Sequence, residues 1–195
     1  MENFNIILAS KSPRRKELLG NIVPNFILKT KDVEEIYPKT LAVKEVAAYL
    51  AKLKADAFTE DLKPNDIVIT SDTTVVLGKT IYGKPKDRQD AIEIIQALSG
   101  KMHEVITGVC LKNIYKEEVF SCTTKVFFKT LSLEEIEYYV NRFKPYDKAG
   151  AYAIQEWIGF IGIEKIEGDY NNIVGLPLQA LHTKLTQFCN SLLKA

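Results

Sequence analysis

The stretch at residues 9–19 reads ASKSPRRKELL and concentrates positive charge at one point of the chain. Ser12 followed by Pro13 is typical of a helix start, with the serine as N-cap and the proline in the first turn. The amino end of a helix carries about half a positive charge, so further cations there are unfavourable unless an anion is present. Four cations fall at this end: Lys11, Arg14, Arg15 and Lys16. The pattern therefore indicates an anionic partner.

A phosphate chain is an anion that fits this position. The backbone N–H groups at the amino end of a helix are free to bind phosphate oxygens. Arg14 and Arg15 follow a short apolar segment closely and add guanidinium groups, whose forked donors match phosphate. We therefore predict that these two arginines bind phosphate, whereas Lys11 and Lys16 extend into water.

Lys54 gives a second, independent indication of a buried anion. The sequence predicts a helix over residues 41–58 with one apolar face: Val43, Ala47, Leu50 and Ala57. At about 100° per residue, Lys54 lies in the middle of this face. Either its side chain extends past the helix end into water, or its ammonium group meets a buried anion, which is a carboxylate of this chain or the phosphate of a ligand.

Two carboxylates are candidates for chemistry with such a ligand. Asp72 follows a predicted strand, Ile67–Thr70, and ligands of open α/β sheets gather at the carboxyl ends of strands. The same position also suits an aspartate that only caps a turn. Glu35 lies in an acidic loop, where a carboxylate is either solvated or functional. Two carboxylates near Lys and Arg side chains are what a divalent metal and a polyphosphate require together.

The remaining polar candidates carry less information. Lys84, in Gly83-Lys84-Pro85, places another lysine in a turn. His103 and His182 are too few and too far apart for a histidine-based metal site. The sequence contains no G-x-x-x-x-G-K-[ST], no G-x-G-x-x-G and no G-x-S-x-G pattern, which argues against P-loop, dinucleotide-binding and serine-hydrolase functions.

Composition restricts the function classes further. Lys plus Arg number 26 and Asp plus Glu 25, so the chain lacks the basic excess that extended nucleic-acid binding requires. Cys110, Cys122 and Cys189 form no C-x-x-C pair, which argues against a disulfide framework and a structural zinc site and favours a reducing cytoplasm. No apolar run reaches 18 residues, and the amino-terminal segment lacks the order of a signal peptide. We expect a soluble, cytoplasmic protein that does not enter a membrane.

The elements that must position these residues alternate along the chain. Apolar runs predict strands at residues 4–9, 26–30, 67–70, 105–111 and 119–128, with a hairpin turn near Gly78. Capping residues predict helices that begin at Ser12, Asp87 and Ser132. A closing helix has apolar residues at helical spacing: Leu181, Leu185, Phe188 and Leu192. We predict an α/β fold, a mixed twisted sheet with flanking helices, as a single domain of residues 1–195 with two lobes around a cleft.

Eight sequence blocks resemble the Maf family of nucleotide pyrophosphatases along nearly the whole chain. In order they are ASKSPRRKELL, the DVEE loop, LAKLKA, SDTTVV, GKPKDRQDA, LSGKMHEVITGV, DKAGAYAIQ and GDYNNIVGLPL. The resemblance implies a fold related to that of inosine-triphosphate pyrophosphatases, and a homodimer. It also implies an enzyme that hydrolyses a nucleoside triphosphate to the monophosphate and pyrophosphate with a divalent metal cation, Mg²⁺ or Mn²⁺.

The resemblance also assigns roles to residues of this chain. The family's phosphate-binding motif corresponds to Ser10, Ser12, Pro13, Arg14 and Arg15. Its general base corresponds to Asp72, its acidic-loop glutamate to Glu35, and its two active-site lysines to Lys54 and Lys84. These are the candidates that charge and position had already indicated.

Three residues mark, by the same resemblance, the branch that looks like dTTP/UTP pyrophosphatases: Arg14, Thr73 and Gln155. The amide of Gln155 carries both a donor and an acceptor, which suits the imide edge of thymine or uracil. The chain departs from the family pattern at four positions: Ser71, Ala153, Glu156 and Asn171. Glu156 places a negative charge beside the predicted base-recognition residue.

The predicted mechanism is attack of a water molecule on the α-phosphorus. Glu35 and Asp72 hold the metal, Asp72 orients or deprotonates the water, and four cations neutralise the triphosphate: Arg14, Arg15, Lys54 and Lys84. Two other functions stay open at this point. One is a regulator of septum formation that binds a nucleotide or nucleic acid without hydrolysis. The other is a pyrophosphatase for inosine or xanthosine triphosphate.

Overall fold

The computed structural model of the chain describes residues 3–194 and has an α/β fold. Seven strands occur among these residues: β1 (Asn5–Leu8), β2 (Ile27–Leu28), β3 (Asp66–Leu77), β4 (Thr80–Tyr82), β5 (Met102–Lys112), β6 (Glu117–Phe128) and β7 (Ile163–Glu167). The same residues form seven α-helices: α1 (Pro13–Gly20), α2 (Val46–Asp56), α3 (Arg88–Leu98), α4 (Leu133–Phe143), α5 (Trp157–Gly162), α6 (Tyr170–Val174) and α7 (Leu178–Leu192).

The strands form one mixed sheet. Its order is β2-β1-β3-β5-β6-β7, and β4 pairs with β3 outside this path. Strand β1 pairs in parallel with both β2 and β3, whereas β4 pairs antiparallel with β3 and β7 antiparallel with β6. The observed sheet confirms the predicted α/β class with a mixed sheet and helices.

The chain divides into two compact units. The first comprises residues 3–72, 107–122 and 175–194 of the described chain, and the second comprises residues 73–106 and 123–174. The three longest strands of the sheet, β3, β5 and β6, have residues in both units. Each unit has its own buried core.

The first unit buries both faces of its part of the sheet. Ile67 and Ile69 of β3 pack with residues of α1 and α7, whereas Val68 between them packs with residues of α2. Successive residues of a strand point to opposite faces, so an apolar run such as this one is expected where helices cover both sides. The second unit has a single core that joins α3, α4 and α5 to the sheet, with Ile95, Leu98 and Ile136 fully buried in it.

The predicted helix starts are confirmed where a capping side chain marks them. The Oγ of Ser12 accepts the Arg15 N–H at 3.4 Å, and the Oδ1 of Asp87 accepts the Asp90 N–H at 2.9 Å. Ser132 and Glu135 form a reciprocal capping box at the start of α4. Each cap satisfies backbone donors that the first helical turn leaves free.

Two predicted boundaries are wrong. Helix α2 begins at Val46 instead of residue 41, because turns closed by the Leu41 N–H to the Pro38 carbonyl and by the Glu45 N–H to the Ala42 carbonyl precede it. Strand β3 does not end at Thr70 but continues through Asp72 to Leu77, where it forms a hairpin with β4. The hairpin turn lies at Gly78, as predicted, and Gly78 has a φ of 63°, a conformation that favours glycine.

Candidate active site

Two carboxylates of the first unit converge on one lysine. The Nζ of Lys54 lies 2.5 Å from Oδ1 of Asp72 and 2.9 Å from Oε1 of Glu35. Only 19% of the Lys54 side chain and 11% of the Asp72 side chain are exposed. Of the alternatives for Lys54, the structure shows a carboxylate of this chain as its partner. The predicted grouping of Lys54, Glu35 and Asp72 is therefore present in the geometry.

Helix α2 holds Lys54 against β3 through small residues and one polar contact. Ala51 and Ala55 are fully buried and pack with Val68 of β3. The Oγ1 of Thr70 donates a hydrogen bond of 2.6 Å to the carbonyl of Ala51. A Cβ added at Gly108 of β5 would lie 2.3 Å from the backbone of Ala47, so the glycine permits this close approach of helix and sheet.

Asp72 lies in the middle of β3 but beyond the end of the neighbouring strand. Strand β1 ends at Leu8, which pairs with Ile69, so Asp72 is three residues past the carboxyl end of β1. The predicted position of this aspartate, at the carboxyl end of a strand, therefore holds for β1 and not for β3. Burial raises the pKa of Asp72, and the positive charges of Lys54 and Arg15 oppose this rise only in part.

Arg15 reaches the same region from the first turn of α1. Its Nη1 donates to the carbonyl of Ser71 at 2.8 Å, and its Nε donates to the carbonyl of Gly175 at 2.9 Å. Burial lowers the pKa of Arg15, and the neighbouring charge of Asp72 acts in the opposite direction. The guanidinium group is therefore fixed by two backbone carbonyls beside a carboxylate, and it is not a solvated surface cation.

The other residues of the predicted phosphate motif surround this helix start. The Ser10 Oγ accepts the Ser12 N–H at 3.2 Å, and Ser12 caps the helix. Arg14 is half-buried, and its charge lowers the pKa of Arg15 further. Lys11 is exposed and forms a 2.5 Å ion pair with exposed Asp32, which fits the prediction that it extends from the surface.

Glu35 completes the acidic side of this group from a loop. Its side chain is 47% exposed, against 11% for Asp72. Two carboxylates thus approach one cationic position, one from solvent and one from the buried strand. Within residues 3–194, no cluster of three or more His, Cys, Asp or Glu side chains has a geometry that would hold a metal ion by itself.

The second unit contains the other three predicted site residues. Thr73 follows Asp72 on β3 and is half-buried. Lys84 is exposed, and the carbonyl of the preceding Gly83 accepts the Gly150 N–H at 3.0 Å. Gln155 is half-buried in a turn between buried Ile154 and helix α5.

The sequence reasoning missed a polar cluster beside Gln155. The Tyr139 Oη donates to Oε2 of Glu156 at 2.5 Å, and the Nζ of Lys148 lies 3.3 Å from Oε1 of Glu156. Tyr139 is fully buried on the apolar face of α4. A tyrosine on such a face was a usable signal, because a buried phenol requires a hydrogen-bond partner.

Two further predictions concern the thiols and the membrane. The three cysteines all lie in the described part of the chain, and each is a free thiol: Cys110 and Cys189 are buried, and Cys122 is half-buried. Burial raises the pKa of Cys110 to about 12, which suits a core residue better than a nucleophile.

None of the helices within residues 3–194 is both long and apolar enough to span a bilayer.

The sequence of the chain is similar to that of known proteins, which identifies a family. A family model described as Maf-like protein matches residues 5–188. Three curated relatives carry the name dTTP/UTP pyrophosphatase. The relative from Flavobacterium psychrophilum is 52% identical over 94% of both chains. The relative from Bacteroides thetaiotaomicron is 46% identical over 95% of this chain and 96% of its own, and that from Porphyromonas gingivalis is 44% identical over 98% of both.

A solved structure is similar over nearly the whole length. The Ham1 protein of Staphylococcus aureus has a TM-score of 0.57 and 17% identity, and the match covers 94% of this chain and 98% of that one. At this identity the likeness shows the fold alone. It confirms the predicted fold class.

Proposed function

We propose, from the premise that the chain belongs to the family of Maf-like proteins, that it hydrolyses dTTP and UTP to the nucleoside monophosphate and pyrophosphate. The name shared by the curated relatives supports this choice of substrate. Modified pyrimidine nucleotides with the same imide edge fall in the same class. The observation that carries the reaction type is the buried pair of Lys54 and Asp72, with the guanidinium group of Arg15 beside it.

Asp72 is the general base of the proposed reaction. Burial raises its pKa, so the carboxylate is a stronger proton acceptor than an aspartate in water. Asp72 takes a proton from a water molecule whose oxygen attacks the α-phosphorus. The bond between the α-phosphorus and the oxygen that bridges it to the β-phosphorus breaks, and pyrophosphate leaves with that oxygen.

The basic residues neutralise the charge that this reaction concentrates on phosphate oxygens. Arg15 is held in place by two carbonyls, so its guanidinium group is oriented before the substrate arrives. Ser10, Ser12 and Arg14 lie at the amino end of α1, where backbone N–H groups favour an anion. Lys54 and Lys84 complete the proposed set of cations.

A divalent cation, Mg²⁺ or Mn²⁺, fits the carboxylates of this site. Glu35 and Asp72 direct one oxygen each to the same point, which the ammonium group of Lys54 occupies. Mg²⁺ is commonly held by one or two carboxylates together with substrate phosphates, so two protein ligands are enough. When bound, the ion supplies charge neutralisation of the phosphates. Glu35 and Asp72 are the residues that would hold it.

Gln155 and Thr73 are the proposed determinants of the base. The Gln155 amide can donate to a carbonyl oxygen and accept from the N–H of the same imide edge. Within residues 3–194 this amide has no hydrogen-bond partner in the protein, so it is available to a ligand. We further propose, on the resemblance stated above, that the protein is a cytoplasmic homodimer. Light scattering of the purified protein measures its molar mass and so tests the dimer.

The experiment is a substrate panel with isotope labelling. Purified protein is incubated with dTTP, UTP, dCTP and ITP, with Mg²⁺, Mn²⁺ or a chelator, and pyrophosphate release is measured. In ¹⁸O-labelled water, attack at the α-phosphorus places the label in the monophosphate. Attack at the β-phosphorus places it in pyrophosphate and contradicts the mechanism.

The panel also separates the other functions. Nucleotide binding without turnover in every metal condition would indicate a regulator, and a preference for ITP would indicate the inosine-type enzyme. Either result overturns the proposed function. Selective turnover of dTTP and UTP that requires the metal supports it.

A further inference from the structure

We infer that Tyr139, Glu156 and Lys148 are positioning residues that hold the turn bearing Gln155 and thereby set the preference for a thymine or uracil base. The identity of the base rests on the proposed function. The structural argument rests on contacts within the second unit.

Gln155 occupies a corner of a tight turn. The Glu156 N–H donates to the carbonyl of Ala153 at 3.1 Å, which closes a four-residue turn with Ile154 and Gln155 as its central residues. Ala153 and Ile154 are buried, whereas Gln155 is half-buried. The turn therefore exposes the glutamine side chain while its neighbours anchor the backbone.

A single buried phenol contacts both ends of this turn. The Oη of Tyr139 accepts the Ala153 N–H at 3.2 Å and donates its own proton to Oε2 of Glu156 at 2.5 Å. Tyr139 itself stacks on Phe143, with ring centroids 5.1 Å apart. A phenol has one donor and accepts as well, so this arrangement uses both capacities on the first and last residues of the turn.

Lys148 holds the same carboxylate from the other oxygen. Its Nζ lies 3.3 Å from Oε1 of Glu156 and 2.8 Å from Oδ1 of Asp147, and only 8% of its side chain is exposed. A buried ammonium group is costly unless it is paired. Glu156 thus receives a phenol on one oxygen and an ammonium group on the other, and its side chain has little freedom to move.

The backbone after the turn is fixed as well. A Cβ added at Gly159 would lie 1.8 Å from the carbonyl oxygen of Ile154, so α5 packs directly on the turn. The Gly159 N–H donates to the carbonyl of Glu156 at 2.8 Å. With these contacts, displacement of Glu156 displaces Gln155, because both are anchored through the same few atoms.

Selectivity follows from this rigidity. An amide distinguishes two bases only if its donor and acceptor are held within a fraction of an ångström of the productive position. A loosened turn weakens the contact with the correct base and leaves the weaker binding of the incorrect base nearly unchanged. Loss of the anchoring contacts should therefore lower discrimination more than it lowers turnover.

The test compares variants of the positioning residues with matched controls. Glu156→Gln keeps the shape and removes the charge, and Tyr139→Phe removes only the hydroxyl group. Tyr138→Phe, on the adjacent and 51% exposed tyrosine of the same helix, is the control for the second. Glu164→Gln, on exposed Glu164 of β7, is the control for the first. For each protein, kcat and KM are measured with dTTP and dCTP, and folding is monitored by thermal unfolding.

The expected result is a fall of about tenfold in the ratio of kcat/KM for dTTP to that for dCTP in Glu156→Gln and Tyr139→Phe. We expect most of the change in KM for dTTP, with kcat within about threefold of wild type. Gln155→Ala should lower the same ratio at least as much. Both controls should keep the wild-type ratio.

Each outcome is decisive. A ratio that is unchanged in folded Glu156→Gln and Tyr139→Phe protein overturns the inference and leaves the proposed function intact. Equal losses of kcat/KM for both nucleotides indicate a merely structural role and also overturn it. A wild-type protein that hydrolyses neither nucleotide overturns the proposed function, and the inference with it. If Tyr139→Phe does not fold, Glu156→Gln and Lys148→Met decide the question.

Discussion

Lys54 and Lys148 are both largely buried lysines bound to two carboxylates, but their surroundings differ. Lys54 is 19% exposed in its side chain, and its partners come from an exposed loop and from a buried strand. Lys148 is 8% exposed, and its partners are the preceding residue and Glu156. In the second case a phenol adds a further hydrogen bond to Glu156. In the first case the buried carboxylate has an arginine close by and a raised pKa.

The difference separates two uses of buried charge. The group around Lys54 brings carboxylates and basic residues to one place, and in the proposed function a triphosphate and a metal would replace the internal partners. The group around Lys148 is closed by a neutral donor and fixes a segment of backbone. Buried ion pairs are weak evidence for stability in either case, because desolvation offsets most of the attraction. We propose that the first group positions charges for a ligand and that the second fixes the backbone of a turn.

The substitution with the largest expected effect on activity is at Asp72, in the group around Lys54. Asp72→Asn should lower kcat for dTTP by about 10³-fold, because the base is removed while the shape is kept. Its stability should not fall. The raised pKa means that Asp72 favours the folded state below its ordinary pKa of 3.8 and loses that contribution as pH rises through the folded value, so at neutral pH the charge is unfavourable.

Pyrophosphate release and thermal unfolding at pH 7 measure these two effects on Asp72→Asn. Asp56→Asn, which removes a 41% exposed carboxylate of the same unit, is the control for activity. An active Asp72→Asn protein would contradict the assignment of the base.

The next effect concerns Lys54. Lys54→Met should lower kcat about 10²-fold, since one fixed cation is lost from the charged region. It should also move the acidic limb of the pH–rate profile to higher pH, because the ammonium group that lowers the pKa of Asp72 is gone. Lys52→Met is the matched control two residues away, where the lysine is 46% exposed and pairs with Asp56 and Glu117. Equal activity in the two variants would remove the distinction between the sites.

A third prediction concerns stability in acid. Protonation of Asp72 in the first unit favours the folded state, whereas protonation of His103 in the second unit opposes it. Burial lowers the pKa of His103 to about 4 from 6.5, and its Nε2 lies 2.8 Å from the Tyr152 Oη. The stability that depends on neutral His103 is complete above pH 6.5 and is lost as pH falls toward 4. By linkage the loss approaches about 3 kcal/mol.

Denaturant unfolding of wild type and His103→Gln between pH 7.5 and 4.5 tests this difference. The wild-type free energy of unfolding should fall more steeply on acidification than that of the variant. Parallel curves would show that His103 does not titrate at the lowered value.

The smallest expected effect is at Gly159. Gly159→Ala should lower the free energy of unfolding by about 2 kcal/mol, because its Cβ would meet the Ile154 carbonyl and the backbone must shift. The same shift should reduce the preference for dTTP over dCTP. In the control Gly20→Ala, the Cβ would meet a Phe26 carbon at 4.0 Å. Denaturant unfolding of both variants measures the difference, and equal stabilities would contradict close packing of α5 on the turn.

Much of this fold was predictable because its signals are local. Ser12, Asp87 and Ser132 each bind a backbone N–H three residues later, so the sequence within one turn determines the helix start. The point at which β3 ends is not determined by the local sequence. The residues of β3 after Thr70 belong to the strand because other strands of the sheet pair with them, which no short window of sequence reveals.

The same distinction applies to the candidate site. The charges at Arg15 and Lys54 were recognisable because each conflicts with its own local pattern, a helix amino end and an apolar face. Asp72 was recognisable because it follows an apolar run that predicts a buried strand. The partners of Glu156 were not recognisable. Tyr139 and Lys148 lie 17 and 8 residues away from it, and only the folded chain brings them together. Membership of the Maf-like family confirms the resemblance, while the residue roles remain predictions.

The contact between the Ala153 amide and the phenol of Tyr139 also provides a reporter. A buried N–H bound to a buried acceptor exchanges with deuterium only when the segment opens. The exchange rate of this one amide, followed by NMR, therefore reports the equilibrium between the closed and opened turn, in the absence of nucleotide or catalysis. Slow exchange in the resting protein would mean that the turn is rigid before any nucleotide binds.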